Sequence, residues 1–280
     1  MGGYFVGLAV PHVDHSPGPV VESGVATRGN RTSFWIGSAG GVVVATAIVV
    51  AVVLLLPESA EAGSVTDVGV WVETESCPNV FFVGARGTDQ DPGIGPQLSD
   101  AYSIFLSFLR PEAGRDIGVA IYPLDYPAAR GRFGDSSRYE ESVAAGAGEL
   151  RAAVDLLGSR CEEARIVVAG FSQGAQVISV ADLGTLGEET IDAMILLANP
   201  VFAPDDATEK SGDFNPDQGG LVGRASLDGE LADRTIQVCL RGDPVCQSGS
   251  LAIWVHSNDY FGSALDPAAE FAANQVNPNL

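Results

Sequence analysis

Gly170-Phe171-Ser172-Gln173-Gly174 is the stretch that most limits how this chain can fold. The apolar run Ile166-Val167-Val168-Ala169 precedes it and reads as a buried strand. Ala175-Gln176-Val177-Ile178-Ser179-Val180 follows and reads as the start of a helix. Strand, G-x-S-x-G, helix is the context of a nucleophile elbow, in which a serine sits on a sharp turn above a sheet. Glycine on either side lets strand and helix approach without a clashing Cβ. The backbone N–H of Gln173, at the helix start, then points to where an oxyanion would form. With 34 glycines in 280 residues, the pentapeptide alone equally suits a glycine-rich turn. The reading therefore rests on the flanking elements and on partners for Ser172.

The rest of the chain repeats the pattern. Apolar runs at 80–83, 117–122, 191–198 and 235–240 read as strands, and helical spacing covers 98–109, 139–157 and 267–276. Ser137 and Asp266 are the expected N-caps, and Gly158 the expected stop. Strands that are continuous apolar runs, alternating with helices, predict an α/β fold: a mostly parallel central sheet with helices on both faces. Residues 63–76 read as a connector, and 205–233 as a long polar link whose length suits either function or irregular structure. No G-x-G-x-x-G opens a helix, which argues against a dinucleotide site.

The N-terminal part is different. Residues 1–33 lack periodic pattern and read as disordered. Residues 34–56 carry no charge and are long enough to cross a bilayer as a helix. Arg28 and Arg31 precede them, and Glu58 and Glu61 follow, so the C-terminal bulk is expected on the exported side. An uncleaved transmembrane anchor and a signal peptide with its apolar core at 42–56, cleaved near Ala60-Glu61-Ala62, are both consistent with this run. Residues 57–75 are then a linker, and 76–280 the folded domain. The net charge of −21 argues against nucleic-acid partners and against electrostatic docking on anionic lipid. The cysteines, Cys77, Cys161, Cys239 and Cys246, all follow the apolar run. They form no C-x-x-C, and their even number suggests two disulfides in an oxidising compartment.

A serine nucleophile needs a base. The histidines are His12, His15 and His256, and only His256 lies beyond the apolar run. The base needs an acid, in chain order Ser, then Asp or Glu, then His. Asp243 follows a predicted strand end, where the sites of parallel sheets gather, and stands between Cys239 and Cys246.

Gly170 to Gly174, the run Cys239-Leu240-Arg241-Gly242-Asp243-Pro244-Val245-Cys246, and His256 together resemble the cutinases, most closely the cutinase-like esterases of actinobacteria. The resemblance spans about residue 76 to the C-terminus. It implies a small α/β-hydrolase with a Ser172, His256, Asp243 triad, and an oxyanion hole from the Gln173 N–H and from Thr88. It implies Cys77 paired with Cys161 and Cys239 with Cys246. Thr88 stands where serine is frequent, and Phe171 where tyrosine is frequent. The implied activity is hydrolysis of carboxylic esters, on cutin-like polyester, envelope lipid or small esters, by an exported monomer without metal or organic cofactor. An acyltransferase or thioesterase on the same triad, and an inactive cell-surface binding module, are the competing readings. The resemblance also implies a site without a lid. Around His256, Trp254, Tyr260 and Phe261 are expected as an apolar lip, with Ile253 and Val255 rather in the core.

Overall fold

A computed structural model describes residues 63–73 and 76–280. The predicted disordered segment and the apolar run at 34–56 lie outside the described residues, and so do residues 57–62, 74 and 75 of the linker. Among the described residues no helix is long and apolar enough to cross a membrane. In chain order the main elements are β1 (Val65–Val70), β2 (Val80–Ala85), α1 (Pro96–Phe108), β3 (Ile117–Pro123), α2 (Ser137–Arg160), β4 (Arg165–Phe171), α3 (Gln173–Val180), α4 (Gly184–Thr190), β5 (Ala193–Leu197), β6 (Glu209–Ser211), α5 (Glu230–Asp233), β7 (Thr235–Val238), α6 (Ile253–Asn258) and α7 (Asp266–Val276).

The strands form one sheet in the order β1-β3-β2-β4-β5-β7-β6, and every pairing is parallel. The strand sequences explain this. β2 and β5 are buried along their whole length, so both faces need covering. Alternate side chains serve opposite layers. Val80, Phe82, Val167 and Ile195 meet one layer, built on Leu98 and Phe105 of α1 and on Ala269, Ala272 and Ala273 of α7. Phe81, Val83, Val168 and Leu196 meet the other, built on Leu150 and Val154 of α2 and on Val177 and Ile178 of α3. Each fully buried phenylalanine or leucine contributes about 1.5–3 kcal/mol relative to exposure.

Several details depart from the sequence reading. β1 lies in the expected connector and forms the sheet edge beside β3. α2 begins at Ser137 with Ser136 in the N-cap position, because Asp135 already accepts the Ser137 N–H at 3.0 Å. α2 also runs through Gly158 to Arg160, so that glycine does not stop it. Asp266 is inside α7, and Leu265 occupies the N-cap position. The long polar link contains β6 and α5.

The cysteines are paired Cys77–Cys161 and Cys239–Cys246. The first pair lies where β2 and β4 begin, since the Arg165 N–H donates to the Asn79 carbonyl at 2.8 Å beside it. That is the end of the sheet opposite to Ser172. Its 84-residue separation implies about 4.5 kcal/mol of chain-entropy stabilisation in the loop-closure account. Replacing both of these cysteines by alanine is therefore expected to lower unfolding stability in urea by several kcal/mol while turnover of the folded fraction stays near normal. Lost activity at unchanged stability would contradict that division.

Candidate active site

Ser172 follows the last residue of β4, and α3 starts at Gln173. Its backbone has φ 54° and ψ −119°, a conformation that a non-glycine residue holds only at a cost of about 1–3 kcal/mol. The surroundings enforce it. The Ser172 N–H donates to the Leu197 carbonyl at 2.9 Å, and the Ala175 N–H donates to the Ser172 carbonyl at 2.9 Å. A Cβ on Gly174 would lie 1.9 Å from the Ala85 carbonyl oxygen, and one on Gly170 would lie 2.5 Å from the Gly174 backbone. Both glycines are thus required for close approach of backbone segments. Among the described residues, the other non-glycine positive φ angles are at Asp89, Ala128 and Ala198. These follow the C-terminal ends of β2, β3 and β5, so the strained positions gather at one edge of the sheet, around Ser172.

His256 sits on α6, and its Nε2 is 3.0 Å from the Ser172 Oγ. Its Nδ1 is 3.1 Å from both Asp243 oxygens. Phe171 stacks on the imidazole at 5.0 Å between centroids, so the aromatic position beside the serine supports the His256 ring. Asp243 is fully buried. One of its oxygens also accepts the Val245 N–H at 2.8 Å, and the other accepts the Tyr260 hydroxyl at 2.8 Å. The Cys239–Cys246 bridge closes the loop that carries it.

Tyr260 was expected at an apolar lip; it is instead fully buried and belongs to this network. Its hydroxyl accepts the Leu240 N–H at 3.0 Å and donates to Asp243. Burial first, and then the neighbouring Asp243 carboxylate, push the phenol well above the ordinary tyrosine range, which keeps the proton available for donation. Sequence reasoning missed this partner. The available signal was a tyrosine four residues after the candidate base.

Thr88 follows β2 and lines the same cleft as Ser172. Its loop is pinned from below by Arg86, which is buried and donates to the carbonyls of Gln90 and Leu124 at 3.1 and 3.2 Å. Gln90 in turn accepts the Gly87 N–H at 2.7 Å and donates to Gln97 at 2.7 Å. Gln173 is fully buried, with its side chain donating to the Ala129 carbonyl at 2.9 Å and accepting from Ser142 at 3.0 Å. Its side chain is thus occupied, and its backbone N–H remains at the free start of α3.

The cleft over Ser172 has a volume of about 820 Å³. Leu221 and Val222 line it, so part of the long polar link forms its side. That part is tied down: the Leu221 N–H donates to the Val245 carbonyl at 2.8 Å, and the Val222 N–H to the Pro200 carbonyl at 2.9 Å. Ile253 was expected in the core; it is 57% exposed and lines the cleft. It sits at the first turn of α6, which turns Val255 inward and Ile253 outward. Val255 is buried as expected, and Trp254 and Phe261 are exposed without lining the cleft.

Comparison with known proteins adds the family context. The cutinase family model matches residues 76–276. "Phospholipase Culp4" of Mycobacterium tuberculosis is 30% identical over 245 residues, covering 83% of this chain and 90% of that protein. "Carboxylesterase Culp1" of the same organism is 31% identical, covering 84% of this chain and 94% of that protein. Among solved structures, an acetyl xylan esterase superposes with a TM-score of 0.58 at 24% identity, over 73% of this chain and 99% of that one. A cutinase-like protein from Cryptococcus sp. superposes at 0.55 with 21% identity, over 72% and 96%. At these identities the structural matches establish the shared α/β fold.

Proposed function

This chain belongs to the cutinase family and is a carboxylic ester hydrolase, and from that premise we propose that Ser172, His256 and Asp243 are its catalytic triad. The observation that carries the proposal is the unbroken path from Ser172 Oγ through the imidazole to Asp243, at 3.0 and 3.1 Å. Ser172 attacks the ester carbonyl while His256 Nε2 takes the hydroxyl proton. Asp243 holds the proton on Nδ1 and stabilises the imidazolium. The tetrahedral oxyanion is met by the Gln173 N–H, helped by the α3 dipole, and by Thr88. The imidazolium then protonates the leaving alcohol, and an acyl-enzyme remains. Water, deprotonated by His256, cleaves it and releases the acid.

Residues 76–280 are the hydrolase domain in this reading, and residues 34–56 are its export signal or anchor. The two disulfides support an oxidising destination. Short and medium acyl esters are the proposed substrates, because the cleft mixes apolar and polar lining beside a serine that retains 7% exposure.

A fluorophosphonate probe tests the reading. Purified protein is expected to gain one adduct by mass, located on Ser172, with matching loss of nitrophenyl butyrate hydrolysis. An unlabelled, folded protein would favour a binding module on the same fold. Because the cleft side is fixed by backbone hydrogen bonds, rates are also expected to rise smoothly as ester concentration crosses its solubility limit. An abrupt rise when droplets appear would mean that residues 205–233 act as a mobile cover.

A further inference from the structure

The charged lining of the cleft runs against the charge of the chain. Acidic residues number 36 against 15 lysines and arginines, yet no aspartate or glutamate lines the cleft. Two arginines do, Arg130 and Arg132. Arg130 is paired with Asp89 at 2.8 Å, and both side chains are largely exposed. The Arg132 guanidinium has no hydrogen-bond or ion-pair partner among the described residues. Two acids that follow it in sequence accept hydrogen bonds from other groups. Asp135 accepts the Ser137 N–H at 3.0 Å, and Glu140 accepts the Ser136 hydroxyl at 2.5 Å.

The arginine segment is fixed relative to Ser172. Ala129 accepts from the Gln173 side chain at 2.9 Å and donates its N–H to Ser142 at 2.9 Å, and the Tyr139 hydroxyl donates to Gln176 at 2.5 Å. Gln173 and Gln176 belong to α3, directly after the serine. The topology also gives the cleft two unlike sides. The arginine segment follows β3. Pro200 follows β5, Leu221 and Val222 follow β6, and Val245 and Ile253 follow β7. In the sheet, β4 with Ser172 lies between β3 on one side and β5, β7 and β6 on the other.

We infer that the cleft takes esters carrying an anionic group, carboxylate or phosphate, with Arg132 as its receptor, assisted by Arg130, and with the apolar chain against the opposite side. The inference rests on Ser172 being the nucleophile. A guanidinium with free donors binds either anion in a forked geometry, and among the described residues no carboxylate pairs with the Arg132 side chain or lines the cleft beside it. The excess negative charge elsewhere is screened beyond about 8 Å at physiological ionic strength.

The test is a charge-matched comparison in the full chain. The carboxylate arm is 3-octanoyloxy-4-nitrobenzoate against neutral 2-nitrophenyl octanoate. The phosphate arm is dihexanoyl phosphatidylglycerol against dihexanoylglycerol, below micellar concentrations, with acid release titrated. Arg132→Gln is expected to lower kcat/KM about tenfold on the anionic member of at least one pair, mainly through KM, and less than twofold on its neutral partner. Arg130→Gln should give a smaller loss in the same direction. Raised salt should weaken wild-type turnover of the anionic ester alone. A loss confined to one arm names the anion. Equal effects on charged and neutral esters, or none, would overturn the inference. Ser172→Ala separates the two readings: if it silences every ester while Arg132→Gln leaves the charge preference intact, the subsite is wrong and the triad stands.

Discussion

Ser172→Ala and His256→Ala are each expected to lower kcat for nitrophenyl butyrate by on the order of 10³-fold or more, and the double variant to lose little beyond that. The reason is that the two side chains perform one step. The serine hydroxyl is a poor nucleophile until Nε2, 3.0 Å away, takes its proton, and the imidazole has no other part in the attack. Removing either ends the same event, so the losses do not multiply. Both variants should remain folded. Alanine meets the same backbone conformation at position 172 that serine already holds, and the His256 side chain is partly exposed at 13%. Melting temperature and far-UV circular dichroism check that condition before rates are compared. Residual turnover from the oxyanion donors alone should persist equally in all three. A folded Ser172→Ala enzyme within tenfold of wild type would remove the triad reading altogether.

What could be read in the sequence follows from burial. β2, β4 and β5 are covered on both faces, so each is a continuous apolar run with no competing interpretation. β1 escaped because it is an edge strand with an almost wholly exposed side-chain pattern; Thr66, Asp67 and Gly69 carry no hydrophobic signal, and only pairing to β3 makes it a strand. α6 escaped for the opposite reason. Ile253, Trp254 and Val255 form an apolar cluster, but six residues are too few for a period to emerge, so core and rim could not be told apart. The long polar link advertised its length and not its path. That path is set by two backbone hydrogen bonds to Pro200 and Val245, and by a buried ion pair between Lys210 and Asp206 at 2.5 Å. That Ser172, His256 and Asp243 would meet was legible because counting left one histidine and strand ends left few acids. Thr88 came from family resemblance alone. Arg132 was not legible, since it sits in no motif and only the fold brings its segment to the cleft; Tyr260, expected at the lip, was not legible as a partner of Asp243, 17 residues away.

Asp243→Asn should be nearly as damaging as loss of the base, by about 10²- to 10⁴-fold in kcat, and Tyr260 explains why the amide cannot substitute. Three donors converge on the carboxylate: the Val245 N–H, the Tyr260 hydroxyl and the His256 Nδ1–H. Two ionised oxygens accept all three. An asparagine has one oxygen, and its NH₂ must face either the Val245 N–H or the Tyr260 hydroxyl, beside the imidazole in both cases. Tyr260 already accepts the Leu240 N–H, so its proton is directed at position 243. If the amide oxygen keeps Tyr260 or Val245, the NH₂ donates to Nδ1. The imidazole proton then moves to Nε2, where it blocks uptake of the serine proton. Tyr260→Phe alone leaves Asp243 with two donors, and a loss of about tenfold is expected, because the acid is less firmly held and the Leu240 N–H is left without its partner. In the double variant the amide is free of one conflict, so the losses should combine to less than their product. Rates for the four enzymes, together with the ¹H chemical shift of the Nδ1 proton, read this directly. A downfield Nδ1 resonance surviving in Asp243→Asn, or strictly multiplicative losses, would show that Tyr260 packs beside the acid without positioning it.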